Sequence, residues 1–338
     1  MKSISNCLKM FYKIVILLFL VTHLYAQSKE NVLPTGKLFD AGGHKLHMNI
    51  MGEGYPTAIL ENGSGDFSFI WSLVQPEVAK FTKVVSYDRA GYAWSEPGPT
   101  PRTSRQICLE LHTALHNAGI KEPYILVGQS FGGFIVRAFA RYYPNEVGGM
   151  VLVEAVQENE RIFMGGDKPQ RIRDFAAGRT EPSVQTFFKP VPVITKQNVK
   201  LDSGIEAPFD RLSDNIQRLQ IWAQSQDAYR SAAGGEMDWS PEDVANLYNH
   251  KGESSYMLGN IPLIVLTRGK GGYDGRSDSA ELEDDRLTLQ NELAHLSTNS
   301  KHIIDKNSGH NIHLEDPITV INAIRDVFIA AKEQKLLK

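Results

Sequence analysis

The stretch "LVGQSFGGF", residues 126–134, places Ser130 between Gly128 and Gly132, directly after an apolar run. Such a serine is either a nucleophile or a polar residue in an ordinary glycine-rich turn. The run "YILV" before it predicts a strand, and "FGGFIVRAFARYY" after it predicts a helix. A strand, a sharp turn and a helix are what a nucleophile elbow requires, with the glycines giving room for close approach of neighbouring segments. The context therefore favours a nucleophilic role for Ser130.

A serine hydroxyl becomes a good nucleophile only when a neighbouring base removes its proton. The candidate base is His310 in "KNSGHNIHLEDP", which follows the last predicted strand and precedes the last predicted helix. His313 raises the alternative of an H-x-x-H metal pair, but no Cys, Asp or third His is suitably spaced to complete a zinc site. We therefore expect no metal there, and we expect His313 to be packed or solvated.

A serine first and a histidine last is the order of the α/β-hydrolase triad. Through "GQSFGG", "YDRAGYAWSEPG" and "SGHNIHLEDP", the chain resembles the α/β-hydrolase fold family over about residues 38–333. The resemblance implies a Ser-His-acid triad with Ser130 and His310 in the first two roles, and a mechanism that needs no cofactor. It also implies that Asp88 and Arg89 belong to the architecture of a loop.

Two positions compete for the triad acid. The resemblance usually places it after the strand that is here "IPLIVLTRG", within a Gly-x-x-Asp pattern. This chain departs from that pattern, because Gly272 stands three residues past Gly269 and Asp274 follows two residues later. Some relatives carry the acid one strand earlier, where "GMVLVEAV" contains Glu154. We prefer Glu154, with Asp274 as the alternative and Asp278 as a third candidate.

The negative charge that develops on a substrate oxygen needs preorganised backbone donors. We assign one to the N–H of Phe131, directly after the nucleophile, and the other to Ser64 in the loop "ENGSGDF". The resemblance would place His-Gly in this loop, and Asn62 replaces the histidine. Gly63 and Gly65 still allow a tight loop that turns an N–H inward, although they are also typical of an ordinary turn.

Strand and helix signals alternate along the chain. Strands are predicted for "KLHMNIMGEG", "TAILENG", "KVVSYDRAG", "YILVGQS", "GMVLVEAV", "PLIVLTRG" and "KHIIDKNSGH". Helices are predicted for "TSRQICLELHTALHNAG" and for residues 131–143, 281–297 and 317–333. The alternation predicts an α/β fold with a doubly wound, mostly parallel sheet.

Residues 157–259 interrupt this pattern with Pro- and Gly-rich segments followed by the helical "DRLSDNIQRLQIWAQSQDAYRSAA". We interpret them as a largely helical cap inserted between two parts of the hydrolase core, residues 27–156 and 260–338. The large side chains available to line an apolar pocket are Phe187, Phe188, Trp222, Tyr229, Met237 and Trp239.

The first 26 residues predict a secretory signal peptide, with lysines before the apolar run "IVILLFLV" and "LYA" before a cleavage site after Ala26. An uncleaved anchor is the alternative, but the run is shorter than the roughly 20 residues of a spanning helix. We expect a periplasmic or secreted protein without a membrane span after cleavage. Cys108 would then be the remaining cysteine, which excludes an intrachain disulfide.

The 338-residue chain has a net charge of −3 and no long basic run, which disfavours nucleic acid as a partner. We therefore expect an exported serine hydrolase that cleaves a small-molecule carboxylic ester or related acyl bond through an acyl-enzyme. A non-catalytic binding protein on the same scaffold is one alternative. An aminopeptidase-type amide hydrolase is another, although its usual His-Gly-Gly-Pro-Gly loop is absent. The sequence leaves the substrate and the oligomeric state open.

Overall fold

The elements of the fold are taken from a computed structural model, which describes residues 34–163, 168–180, 182–185, 205–254 and 257–337. The predicted signal peptide, Phe187 and Phe188 lie outside these ranges. The strands are β1 (Lys37–Asp40), β2 (Lys45–Met51), β3 (Thr57–Glu61), β4 (Val84–Tyr87), β5 (Tyr124–Gln129), β6 (Val147–Val153), β7 (Arg161–Ile162), β8 (Gln170–Arg171), β9 (Leu263–Arg268) and β10 (Ser300–Asp305). The helices are α1 (Gln75–Val78), α2 (Ser104–Asn117), α3 (Phe131–Tyr142), α4 (Asp214–Gln224), α5 (Asp227–Asn249), α6 (Ser279–Ala294), α7 (Ile312–Glu315) and α8 (Pro317–Glu333).

One sheet runs in the order β1-β2-β4-β3-β5-β6-β9-β10. The strands from β4 through β3, β5, β6 and β9 to β10 pair in parallel. β1 and β2 form an antiparallel hairpin, and β2 also pairs antiparallel with β4. All residues of β3, β4, β5 and β9 are buried, as expected for apolar strands covered on both faces. The carboxyl ends of the parallel strands lie along one edge of the sheet.

Helices cover both faces of this sheet. On one face, Leu111 of α2 and Phe134 of α3 belong to the same core cluster as Leu126 of β5. On the other face, Ile324 of α8 belongs to the cluster that contains Val127 of β5. Successive residues of a strand point to opposite faces, so Leu126 and Val127 divide between the two layers. This is the doubly wound α/β fold predicted from the alternation of strands and helices.

The predicted strands and helices of the core are all present. Thr103 caps α2, because its side chain accepts a hydrogen bond from the N–H of Gln106. The helix predicted over 281–297 begins two residues earlier and ends at Ala294. Four short elements were not predicted: α1, α7 and the two strands of the ribbon β7–β8. Each is too short to show a recognisable repeat of apolar residues in the sequence. None of the described helices is long and apolar enough to cross a membrane.

The segment between β6 and β9 is an insertion between two neighbouring strands, because β6 pairs directly with β9. The stretch predicted to be helical forms two helices, α4 and α5, separated at Ser225 and Gln226. α5 continues to Asn249 through Pro241, which has no N–H for the carbonyl four residues earlier. The hydroxyl of Ser240 donates to that carbonyl, Met237 O, at 3.0 Å. This bond compensates the missing one, so the proline does not end the helix.

Candidate active site

Ser130 occupies the turn between β5 and α3 with φ +52° and ψ −120°. A residue with a Cβ rarely adopts a positive φ, and such strain persists only where the surroundings impose it. A Cβ on Gly132 would lie 2.5 Å from Asn62 O and 2.6 Å from Glu61 O, and one on Gly128 would overlap the backbone of Gly132. Both glycines are therefore required for the close packing of the turn. The geometry is that of the predicted elbow.

Backbone hydrogen bonds hold this turn on the sheet. The N–H of Ser130 donates to Val153 O at 3.0 Å, and Ser130 O accepts from the N–H groups of Gly133 and Val156, each at 3.0 Å. The turn after β5 is thus fixed to the end of β6 from two sides. Ser130 itself is only partly buried, so its side chain has access to the space above the sheet edge.

The residues predicted to supply the oxyanion donors lie directly after Ser130 and in the loop after β3. Phe131 is the first residue of α3, so its N–H has no acceptor within the helix. The loop after β3 approaches from the other side, because a Cβ on Gly63 would lie 3.4 Å from Ser130 Cβ. Ser64 follows in this loop and is exposed, and Gly65 has φ +77°. The structure thus places the loop "ENGSGDF" against the elbow.

Arg89 holds that loop in place. Its guanidinium donates to Asn62 O and Gly63 O, both at 2.9 Å, and to Glu61 Oε1 at 2.8 Å. Asn62 is buried and donates its side-chain amide to Tyr87 O at 2.7 Å. Asn62 and Arg89 therefore act as anchors of the loop, the latter as the sequence predicted.

Asp88, which is predicted to be structural, and two histidines of the β1–β2 hairpin are also bonded within the scaffold. Asp88 accepts from the N–H of Ser68 at 2.7 Å and pairs with Nδ1 of His47 at 2.8 Å. His44 is buried with Nε2 3.4 Å from Glu110 Oε1. These contacts fix the loop after β4 and the β1–β2 hairpin.

His310 lies in the loop between β10 and α7, beside the elbow. The side-chain amide of Gln129, the residue before Ser130, donates to His310 O at 3.3 Å. The N–H of Gly309 donates to Glu315 Oε2 at 3.1 Å, which ties the same loop to α7. The predicted nucleophile and base are therefore brought to one edge of the sheet, although 180 residues separate them in the chain.

His310 is exposed to solvent, at the surface of a densely packed part of the protein. The pKa of the imidazole is lowered to about 4, chiefly because burial disfavours the charged ring and also because Arg268 and Arg286 repel a proton. His310 is thus neutral at neutral pH, the form in which it can accept the proton of a serine hydroxyl.

His313 is fully buried and packs against Trp71, with ring centroids 4.9 Å apart. Burial lowers the pKa of its imidazole to about 3, so the ring is a neutral core side chain. This position agrees with the expectation that His313 is packed. Within the described ranges, no third ligand joins it and His310 in a metal-binding group.

Glu154 follows β6 and is buried with φ +43°. Its Oε2 accepts from the N–H of Arg268 at 2.7 Å, and its Oε1 accepts from Arg268 Nε at 2.8 Å and Arg286 at 3.0 Å. Burial raises the pKa of Glu154, whereas both guanidiniums and the Arg268 N–H lower it. The two arginines also bind Glu283, so the four side chains form one charge network. The network stands at the sheet edge where the triad acid is expected.

Neither preferred candidate for the acid contacts the His310 ring in the part of the chain that the structure describes. Asp274 is exposed, and its Oδ2 lies 3.6 Å from where a Cβ on Gly271 would be. Asp278 is bound to Arg276 at 2.7 Å. The choice of the triad acid therefore stays a prediction.

Comparison with known proteins identifies the family. The family model described as "alpha/beta hydrolase fold" matches residues 59–317, more than half of the chain. The chain belongs to the α/β-hydrolase fold family. The resemblance that the motifs around Ser130 and His310 indicate is thus confirmed, and the protein is a hydrolase of this family.

Full-length relatives agree with this assignment. The hydrolase is 34% identical over 298 residues to an AB hydrolase superfamily protein of Gibberella zeae, covering 80% of this chain and 86% of that protein. It is 25% identical over 278 residues to YqjL of Bacillus subtilis, covering 82% and 85%. Among solved structures it is similar to a meta-cleavage product hydrolase from Pseudomonas fluorescens IP01, with a TM-score of 0.59 and 17% identity over 88% of this chain and 98% of the other. At that identity, the structural likeness shows the fold alone.

The structure adds a carboxyl group that the motifs of the hydrolase do not reveal. Asp66 lies in the loop after β3, and its Oδ2 is 3.0 Å from the point where a Gly63 Cβ would be, next to Ser130. Burial raises the pKa of Asp66 to about 7 against the opposing effect of Arg89. The loop "ENGSGDF" is predicted from the sequence to supply an oxyanion donor, and nothing in that prediction singles out its Asp66.

The large side chains of the insertion divide between different environments. Trp222 is in the core with Trp94, at a ring distance of 5.4 Å, and Met237 is exposed. Trp239 is partly buried beneath Arg179. Tyr229 donates its hydroxyl to Gly65 O at 3.2 Å, so it reaches the loop beside Ser130. Of these four side chains, Tyr229 is the one in contact with the candidate site.

Proposed function

We propose that this hydrolase is a serine esterase that cleaves a carboxylic ester or related acyl bond through an acyl-enzyme on Ser130. The observation that carries the proposal is the strained Ser130 at the end of β5, with His310 in the adjoining loop. A serine in this position presents its hydroxyl above the sheet edge, and a neutral imidazole beside it can take up the proton.

In the proposed first step, Ser130 Oγ attacks the acyl carbon while His310 takes the hydroxyl proton. The N–H groups of Phe131 and Ser64 stabilise the negative oxygen of the tetrahedral intermediate. The C–O bond to the alcohol then breaks, and His310 gives its proton to the leaving alcohol. A water molecule attacks the acyl-enzyme with His310 again as the base, which releases the acid and restores Ser130.

Glu154 is the acid in this proposal. It follows the strand next to the elbow, and its Oε2 accepts one hydrogen bond, from the N–H of Arg268. A carboxylate oxygen has a second lone pair, which is available to a ring N–H of His310. An acid in this role orients the histidine and stabilises its charged form.

The test of the function is whether the protein turns over a short-chain p-nitrophenyl ester with a burst of p-nitrophenol. A burst followed by steady turnover, with stoichiometric fluorophosphonate labelling, is the expected result, since an acyl-enzyme forms and is then hydrolysed. Ester binding without release of p-nitrophenol would instead favour a binding protein on this scaffold. The same protein is also tested on aminoacyl amides and on diketones whose hydrolysis breaks a carbon–carbon bond. Activity on these substrates distinguishes amide or carbon–carbon bond hydrolysis from ester hydrolysis.

The same proposal extends to export. The basic residues, the apolar run and the small residue Ala26 support a cleaved signal peptide and a periplasmic or secreted enzyme. N-terminal sequencing of the protein recovered from outside the cytoplasm is expected to begin at Gln27. A mature protein that begins at Met1 would contradict this part of the proposal.

The pH dependence of the reaction follows from His310. Because the pKa of its imidazole is lowered to about 4, the ring stays neutral and able to act as a base well below its ordinary 6.5. We expect kcat/KM to be constant on its acid side and to fall only as pH decreases toward 4. An acid limb near 7 would show that Glu154 already pairs with His310 in the free enzyme, because a carboxylate partner raises the pKa of the ring, whereas a limb near 4 means that this pair forms only once the ester is bound.

The raised pKa of Asp66 predicts that kcat/KM also decreases on the alkaline side of its pH profile. With its pKa raised to about 7, the carboxyl is neutral below that pH and negative above it. A negative charge beside Ser130 repels the developing oxyanion, so we expect kcat/KM to fall as pH rises through 7. Asp66→Asn stays neutral and is expected to abolish this fall, while Asp274→Asn, its exposed control, keeps it. An unchanged alkaline limb in Asp66→Asn would contradict the assignment.

A further inference from the structure

Two histidines and a glutamate meet on the surface formed by α2 and the 3-10 turn Pro144–Glu146. His112 and His116 are four residues apart on α2, so their side chains lie on the same face of the helix. Nε2 of His112 is 2.9 Å from Glu146 Oε1, and Nε2 of His116 is 3.8 Å from the same atom. One ligand atom from each of the three side chains lies within 4.8 Å of the other two.

These separations are close to those of a metal-binding group. Two ligands at about 2.0–2.1 Å from a tetrahedral Zn²⁺ lie about 3.3 Å apart. The two histidine–glutamate distances, 2.9 and 3.8 Å, lie on either side of this value, so small rotations of the side chains would place all three ligands around one ion. Imidazole nitrogen and carboxylate oxygen are both ordinary zinc ligands, and water can supply the fourth.

The surroundings of the group favour the same conclusion. Oε2 of Glu146 is shielded from solvent and has no hydrogen-bond partner among the described residues. His112 stacks on Tyr143, with ring centroids 4.1 Å apart and an interplanar angle of 7°, which limits its rotation. Both histidines remain accessible, with 25% and 46% of their side-chain surfaces exposed. The group therefore combines a restrained ligand, an unsatisfied carboxylate oxygen and an entry path for an ion.

We propose that His112, His116 and Glu146 form a site for a divalent transition metal ion of the Zn²⁺ type. Glu146 stands directly before β6, whereas Glu154 follows the same strand, so the site and the candidate active site lie at opposite edges of the sheet. The seven residues of β6 separate these edges, about 23 Å at the usual strand rise. The ion would join α2 to the connection between α3 and β6, and its role would be stabilisation rather than chemistry on the substrate.

The test has two measurements on the untagged full chain. Isothermal titration calorimetry with ZnCl₂ gives the affinity and stoichiometry, and thermal unfolding with and without ZnCl₂ gives the change in Tm. We expect one Zn²⁺ of this site per chain and a rise in Tm. His116→Gln and Glu146→Gln are each expected to weaken this binding at least about tenfold, since even loss of a residue that only hydrogen-bonds to a metal ligand lowers metal affinity by about 10–100-fold. His295→Gln, which replaces the exposed histidine directly after α6, is the control and is expected to bind as the wild type does.

Co²⁺ provides a second readout, because tetrahedral coordination gives it a visible absorption band that His116→Gln should lose. Circular dichroism of each variant shows whether its fold is retained, and His116 is half-exposed, so its replacement leaves the core intact. The proposal is overturned if Zn²⁺ does not bind, or if His116→Gln and Glu146→Gln bind it with wild-type affinity. Hydrolysis by the metal-free protein is expected to be the same in all three variants.

Discussion

Replacing Ser130 with alanine is expected to lower kcat for p-nitrophenyl ester hydrolysis by about 10⁶-fold, the order of magnitude for loss of a serine nucleophile. The elbow has no other hydroxyl between β5 and α3, so the acyl-enzyme does not form. Fluorophosphonate labelling and the burst of p-nitrophenol are expected to disappear together. The measurement is stopped-flow kinetics with mass spectrometry of the labelled protein.

Ser277→Ala is a matched control for this change, because Ser277 is exposed and lies outside the elbow. It is expected to retain full turnover and labelling. If Ser130→Ala still carried the label and turned over the ester, the proposed nucleophile would be wrong. If the alanine variant failed to bind an ester analogue as well, a folding defect would be responsible, and its circular dichroism would show it.

Replacing Glu154 with glutamine is expected to affect both activity and stability. Removal of the triad acid lowers kcat by about 10⁴-fold in serine hydrolases. It also leaves Arg268 and Arg286 buried beside an uncharged amide, and breaking a buried ion pair from one side costs about 3–5 kcal/mol. Steady-state kinetics and urea unfolding of the same preparation measure the two effects.

Asp274→Asn separates the two candidate acids. Asp274 is exposed and outside the charge network, so its replacement is expected to leave both kcat and the free energy of unfolding unchanged. A dead Asp274→Asn beside an active Glu154→Gln would exclude Glu154 as the acid. Loss of stability without loss of kcat in folded Glu154→Gln would make Glu154 a member of the charge network alone.

The core of the fold could be predicted because its signals are local. Most central strands are dominated by apolar residues, and the helices carry signals such as the Thr103 cap before α2. The elbow was also predictable, since the spacing of Gly128, Ser130 and Gly132 reflects a steric requirement of the turn itself. The sequence did not predict the break between α4 and α5. Ser225 and Gln226 do not interrupt the helical repeat of apolar residues, and neither is a proline or a glycine.

The electrostatic environment of the site could not be predicted in the same way. Arg268 and Arg286 lie 18 residues apart, and nothing in their spacing indicates that both contact Glu154. That contact depends on the pairing of β6 with β9 and on the packing of α6 beside them. The position of Asp66 beside Ser130 likewise depends on how the loop after β3 folds against the elbow, which side-chain types alone do not determine.

The insertion leaves the sheet after β6 and returns at β9, and these strands are direct neighbours. Hydrogen bonds join them at both ends, from Met150 N–H to Pro262 O and from Glu154 N–H to Leu266 O. The two attachment points of this long segment are therefore side by side, and its length is unconstrained by the register of the strands. Residues can be gained, lost or exchanged within it during evolution without displacing Ser130 or His310. A lineage of such proteins can thus vary the length and composition of one segment of the gene while the sheet that carries Ser130 and His310 is conserved.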